Sequence, residues 1–398
     1  MGIYELFFHT WYGGLVLMVI SSIIMAKACD VFEASSDYLG RNLSEGVKGA
    51  TINAIGSSMP ELLTTVFFLA LASRQHLGRD LAASVGGNTG SAIFNSIVIP
   101  MLVIWIVIAT IAGVKGIKIA KKVVLRDGLF LIAAELILLV LLSSDYITQW
   151  HGWVFTMFYL VYLSYTLLSM KKDLHKKEII HFKAENWYTH FQLKHNKGRT
   201  GRSWLLLLGS TAIIALTCAG LVESCIGMAD AMKINPLFIA LVLVAAASSV
   251  PDTIISIKDG KKGNYDDALS NVLGSNIFDI TISMGLPLAI YLLVTGQRID
   301  FRAAGPTLID IRIMLVVVTI ITMAVFYFSK ELKKRHVLYL LILYLIFILY
   351  AIGAASYGAG GDDMLAQWAG AFIDFLNKKG GISDSLQKVA NGITSGWR

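Results

Sequence analysis

Charge is scarce in this chain. Asp, Glu, Lys and Arg together make up 15% of its 398 residues, whereas soluble domains carry about 25%, and that excludes a separate soluble domain of any size. Cysteine and proline are scarcer still, at three and six. Cys29, Cys218 and Cys225 all fall in apolar runs, which excludes a disulfide framework and leaves them as small core residues without functional weight. The histidines of the 171–202 stretch lack the paired close spacing of a zinc site. The N-terminal MGIYELFFHTWYGG lacks the basic region of a signal peptide, so the first apolar run is expected to remain as a helix.

What fills the chain instead is apolar: 56% of residues are hydrophobic and the mean hydropathy is +0.66. The composition predicts an all-α polytopic membrane protein, with about ten transmembrane helices at roughly 20 apolar residues per span. The net charge of +7 then reads as a topology signal, and no nucleic-acid partner is expected. Basic residues collect in alternate loops: Lys115, Lys118, Lys121, Lys122 and Arg126; Lys258, Lys261 and Lys262; Lys330, Lys333, Lys334 and Arg335. The 171–202 link, with Lys171, Lys172, His175, Lys176, Lys177 and His181, is the most basic. By the positive-inside bias these loops face the cytoplasm and both termini lie outside, in the cell (inner) membrane. The link itself fixes topology or touches anionic lipid headgroups. Beyond Tyr357, Leu365, Trp368, Ala369, Phe372, Phe375 and Leu376 recur at helical spacing and predict an amphipathic helix on the outer surface. Nothing in the sequence names a protein partner.

Two polar islands interrupt the apolar runs. Gly56-Ser57-Ser58-Met59-Pro60-Glu61 is echoed by Ala247-Ser248-Ser249-Val250-Pro251-Asp252. Before them, Val31-Phe32-Glu33-Ala34-Ser35 resembles Leu221-Val222-Glu223-Ser224-Cys225; after them, Gly90-Ser91-Ala92-Ile93-Phe94-Asn95 matches Gly274-Ser275-Asn276-Ile277-Phe278-Asp279. Three landmarks in the same order indicate an internal duplication. Five helices per half would insert the halves in opposite orientations, giving two inverted five-helix repeats over 1–170 and 203–357, joined by the link and followed by a tail at 358–398.

The residue types at the landmarks suit a hard cation. A proline inside a helix leaves the carbonyl four residues earlier without its partner, so Pro60 frees that of Gly56 and Pro251 that of Ala247. Such breaks persist where backbone lines a cavity or meets a cation. Ser57 and Ser58 share a helix face with Glu61, as Ser248 and Ser249 do with Asp252. Ca²⁺ takes about 6–8 oxygen ligands, and a softer metal would call for His or Cys, so the oxygens predict calcium, sodium or both. Glu61, Asp252 and Asp279 are expected to meet near the midplane, with Asn95 beside them. Uncompensated carboxylates there are expensive; one Ca²⁺ leaves a residual negative charge that a proton would remove, and several Na⁺ would neutralise all three. Elsewhere bland readings prevail: Glu135 is expected to pair with a lysine or a backbone group, and Lys27, Glu33 and Asp37 to snorkel.

The two islands resemble the α-repeats of the calcium/cation antiporter superfamily, specifically its sodium/calcium exchanger branch, across roughly residues 11–357. The resemblance implies a secondary antiporter, not an enzyme, with no cofactor beyond the transported Ca²⁺ and Na⁺. It implies Glu61 and Asp252 as central Ca²⁺ ligands, Ser57 and Ser248 at the helix breaks, and backbone carbonyls from Ala54 and Ala245. Ser58, Ser91, Ser249 and Ser275 would contact Na⁺, and Asn95 and Asp279 would occupy the middle position between the halves. The first and sixth helices would slide across this core. Three departures stand out: Ala247 replaces the expected glycine, Asp279 matches the potassium-dependent exchangers and leaves K⁺ involvement open, and the central link is too short for the regulatory calcium-binding domains of animal exchangers. Ca²⁺/H⁺ exchange is the alternative reading; a cation channel or an intramembrane enzyme is a remote one.

Overall fold

The computed structural model describes residues 10–39, 49–71, 77–168, 186–193, 200–302 and 308–397. Lys171, Lys172, His175, Lys176, Lys177 and His181 of the basic link lie outside them. Helix α1 runs Trp11–Leu39, and a π turn at Gly49–Asn53 leads into α2, Ala54–Ser57. Next come α3 (Met59–Leu71), α4 (Leu77–Thr110), α5 (Lys121–Leu141), α6 (Gln149–Leu168) and the short α7 (Trp187–Leu193). Then follow α8 (Thr200–Met232), α9 (Pro236–Ser248), α10 (Val250–Lys262), α11 (Tyr265–Thr295), α12 (Ile309–Phe328) and α13 (Lys334–Gly358). Two further helices, α14 (Met364–Asn377) and α15 (Ile382–Thr394), form the tail.

The protein is an integral, multi-pass, all-α membrane protein, but the expected count of about ten spans in two five-helix repeats is corrected. Among the described residues six helices are long and apolar enough to cross a bilayer, and α9 with α10, bent by 40° at their junction, brings the number to seven if the pair is one span. The shortfall has physical causes. The first polar island breaks its helix, leaving α3 with 13 residues. Helix α5 carries Lys121, Lys122, Arg126, Asp127 and Glu135, and α6 is diluted by Gln149, His151 and several tyrosines.

The most enclosed spans are α4 and α11, the helices that carry the Gly-Ser landmarks. Small residues let backbones approach in a membrane, where van der Waals packing takes over from the hydrophobic effect. At Gly90 of α4, a Cβ would stand 2.0 Å from the Leu241 carbonyl oxygen of α9. At Gly274 of α11, it would stand 3.0 Å from the Cα of Ala50. The two glycines therefore seat each landmark helix against the approach to the opposite island. Helices α1 and α8 pack along each other through a sulfur-rich cluster that includes Met18, Met25, Cys29, Cys218, Cys225 and Met228.

The two ends of the bundle differ. At one end Ile117 bridges to Leu332, Glu331 lies 3.5 Å from Lys118 and 3.3 Å from Lys333, and the Ala120 N–H donates to Asp266 at 2.8 Å. At the other, a strand Tyr146–Ile147 (β1) pairs antiparallel with Ile299–Asp300 (β2). The tail forms two helices where the spacing predicted one. Gln387 and Asn391 of α15 donate to the Asp145 carboxylate beside β1, and Trp397 meets His151 edge-on. Two carboxylates also depart from expectation. Glu33 does not snorkel but binds Lys258 at 2.5 Å, together with Asp30 at 2.9 Å. Glu135 is buried and accepts from the Thr319 hydroxyl at 2.6 Å.

Candidate functional site

Each island is a helix break with the proline just beyond it. Pro60 is the second residue of α3 and Pro251 the second of α10, where the missing N–H has no intrahelical partner to lose. Ser58 (φ −89°, ψ 8°) and Ser249 (φ −77°, ψ 3°) sit in the bridge region between helix and strand. Their N–H groups donate to the carbonyls of Ala54 and Ala245, both at 3.1 Å. The Ser57 and Ser248 hydroxyls reach the same two carbonyls at 3.3 Å. Glu61 and Asp252 are thereby placed in the first turns of α3 and α10, where the helix dipole favours negative charge.

The three expected carboxylates meet. Glu61, Asp252 and Asp279 are all buried, each with a ligand oxygen within 4.8 Å of the others. Asp279 opens a π turn, Asp279–Ser283, inside α11; such turns recur at functional sites. Each island is bonded to the landmark helix of the other. Ser91 of α4 donates to Glu61 Oε1 at 3.0 Å, touches Ser249 Oγ at 2.9 Å and reaches Asp279 Oδ2 at 3.4 Å. Ser275 of α11 donates to Asp252 Oδ1 at 2.5 Å and lies 3.2 Å from Ser57 Oγ. Asn95 Nδ2 donates to Asp252 Oδ2 at 3.1 Å. Oxygen capacity remains: Glu61 Oε2, Asp279 Oδ1, Asn95 Oδ1 and Ser58 Oγ are buried without a hydrogen-bond partner. Buried polar atoms without partners are rare in proteins, and these four, on the residues of the islands and landmarks, leave oxygen lone pairs suited to a cation.

Other buried polar residues belong to the surroundings and were not anticipated. Asn271 donates to Ser256 Oγ at 3.0 Å and to the Asp252 carbonyl at 3.5 Å. Its spacing of four from Ser275 and eight from Asp279 puts it on their helix face, and that signal was available. Asn53 donates to Asp259 at 3.1 Å across 206 residues of sequence, a pairing with no local signature. Thr65 accepts from Ser84 at 3.0 Å and Asn88 at 3.1 Å behind Glu61.

The family model described as sodium/calcium exchanger protein matches residues 13–168 and 202–353. The chain belongs to this family. It is 29% identical over 119 residues to the sodium/potassium/calcium exchanger Nckx30C of Drosophila melanogaster, a match covering 30% of this chain and 13% of that protein's length. It is 27% identical over 293 residues to the putative antiporter CaxA of Alkalimonas amylolytica, covering 73% and 83% of the two chains. In fold, this exchanger-family chain is similar to the H⁺/Ca²⁺ exchanger CAX, with a TM-score of 0.67 at 14% identity over 98% of this chain and 97% of that one. It is also similar to the sodium-calcium exchanger NCX_Mj, with a TM-score of 0.55 at 24% identity over 84% and 97%. Both likenesses concern the fold. Within the family match, both islands and both Gly-Ser landmarks are included.

Proposed function

We propose that this protein is a secondary antiporter that exchanges Ca²⁺ for Na⁺ across the cell membrane by alternating access. The observation that carries the reading is the meeting of Glu61, Asp252 and Asp279 within 4.8 Å, where hydroxyls and an amide donate to them. Three carboxylates so placed demand cations, because unpaired buried charge costs several kcal/mol per ion at order of magnitude. Glu61 and Asp252 are the central Ca²⁺ ligands, flanked by Ser57, Ser248 and the carbonyls of Ala54 and Ala245. Ser58, Ser91, Ser249 and Ser275 serve Na⁺, and Asn95 and Asp279 sit between the two islands. One Ca²⁺ leaves one formal negative charge among the three carboxylates, whereas three Na⁺ cancel them all. Competition for the same oxygens is enough to couple the two ions, since the site closes only when its charge is met. The loops at the Lys118–Glu331 end face the cytoplasm, as the basic 171–202 link does, and the termini face outside.

The test is ⁴⁵Ca²⁺ uptake into vesicles loaded with Na⁺. Uptake should follow an outward Na⁺ gradient and collapse when Na⁺ is equal on both sides. Uptake that ignores Na⁺ and follows an imposed pH gradient would replace this reading with Ca²⁺/H⁺ exchange, and a requirement for K⁺ on the Ca²⁺ side would add co-transport.

A further inference from the structure

The two islands are not braced alike. Aligning Gly90-Ser91 with Gly274-Ser275 sets Asn271 of α11 opposite Gly87 of α4. Glycine offers no side chain there, and it is the neighbouring Asn88 that donates to Thr65 Oγ1 at 3.1 Å, as Asn271 does to Ser256 Oγ at 3.0 Å. Behind Glu61, support comes from α3 and α4: Thr64 and Thr65 donate to the Glu61 carbonyl at 2.9 and 3.1 Å, and Thr65 is held in turn by Ser84 and Asn88. Behind Asp252, Asn271 reaches the corresponding carbonyl and the corresponding hydroxyl, Ser256, with one amide nitrogen.

The amide oxygen does something with no equivalent near Glu61. Ser57 Oγ donates toward Asn271 Oδ1 at 3.4 Å, from the first island to the landmark helix of the second. Together with the contact between Ser57 and Ser275 at 3.2 Å and the bond from Ser275 to Asp252 at 2.5 Å, this closes a ring through Asn271, Ser57, Ser275 and Asp252. Asn271 is fully buried. A hydroxyl that ligates a cation must turn its single proton away from the ion, and so needs an acceptor on its far side. The single Ser57 proton has three acceptors in reach, the Asn53 carbonyl at 2.8 Å, the Ala54 carbonyl at 3.3 Å and Asn271 Oδ1 at 3.4 Å; Ser248 has the Ala245 carbonyl at 3.3 Å, and its facing position on α4 is Gly87.

We infer that Asn271 is a positioning residue for the transported cation: its amide ties the Asp252 turn to Ser57 and makes the Ser57 side of the site the preorganised one. The inference rests on the exchanger reading for the identity of the ion, and its test reads binding rather than exchange. Purified protein would be assayed for ⁴⁵Ca²⁺ binding by equilibrium dialysis, as wild type, Asn271→Leu, Ser57→Ala and the double variant. Asn271→Leu should weaken Ca²⁺ binding about fivefold, the scale of one or two net hydrogen bonds. In the Ser57→Ala background the same change should cost about twofold or less, because the cross-link is already cut. Equal factors in both backgrounds, or unchanged affinity in Asn271→Leu, would overturn the inference. If the leucine variant does not fold, Asn271→Gly, which copies Gly87, carries the same comparison. A wild-type protein that binds Ca²⁺ yet shows no Na⁺-driven uptake would refute the exchange reading and leave the Asn271 comparison intact; one that binds no Ca²⁺ would refute both.

Discussion

Replacing Glu61 by glutamine isolates the charge at the centre of the site. The side chain keeps its length, and its remaining carbonyl oxygen can still accept from Ser91, which donates to Oε1 at 3.0 Å. The other carboxylate oxygen, Oε2, has no hydrogen-bond partner to lose. Folding should therefore be spared, and easing the repulsion among three carboxylates within 4.8 Å should leave the ion-free variant at least as heat-stable as wild type. Binding should suffer. Losing one charge-assisted ligand costs about 1.5–3 kcal/mol, or roughly 10- to 150-fold in Ca²⁺ affinity. The contrast is visible in thermal unfolding of detergent-purified protein with and without Ca²⁺. Ligand at 100 times its Kd stabilises the wild type by about 2.7 kcal/mol, and the same concentration should shift Glu61→Gln by about half of that or less. Vesicles carrying the variant should lose Na⁺-driven ⁴⁵Ca²⁺ uptake. A Ca²⁺-dependent shift equal to wild type, or retained uptake at the wild-type half-saturating concentration, would refute the assignment of Glu61 as a Ca²⁺ ligand.

Three further outcomes follow from the packing. Gly90→Ala puts a Cβ 2.0 Å from the Leu241 carbonyl, so α4 and α9 must part; a loss of about 1–3 kcal/mol should appear as a lower Tm, and an unchanged Tm would contradict the close approach. Lys258→Met removes the cation shared by Asp30 and Glu33; with Lys258 part-exposed, the loss should be about 1 kcal/mol and should shrink in high salt, whereas a salt-independent loss would argue for packing instead. Glu135→Gln retains an acceptor for Thr319 and removes a charge-bearing group from the interior, so it should leave stability and Ca²⁺ binding within about 0.5 kcal/mol of wild type; a tenfold loss of binding would mean that Glu135 communicates with the site.

Much of the site was legible in the sequence because its chemistry is repeated. The doubled proline-carboxylate islands and Gly-Ser landmarks point to Glu61, Asp252, Asp279, Asn95 and the serines, and the fold brings the three carboxylates together with Ser91, Ser275 and Asn95 bonded to them. For the carbonyls, the proline rule pointed to Gly56 and Ala247 and the family resemblance to Ala54 and Ala245; the serine hydroxyls and N–H groups converge on the latter pair. The span count failed partly because α5 and α6 carry charged and polar residues, and partly because hydropathy does not register where a helix breaks. Apolar residues continue through Ser58 and Ser249, but the backbone turns there and divides the runs into pieces.

By itself the sequence determined the membrane class, the oxygen-rich character of the candidate site and the pairing of the two islands, because composition and motif order are properties of the chain and need no geometry. Only the tertiary structure decided which residues support them. Asn271 belongs to both islands at once, Asn53 finds Asp259 across 206 residues, and Lys258 finds Asp30 and Glu33 on α1. These contacts depend on how closely helices cross, and that distance is set where a glycine such as Gly90 or Gly274 lets one backbone rest against another. Local pattern specifies the carboxylates and hydroxyls of the candidate site; the crossing of distant helices specifies how far apart they are held.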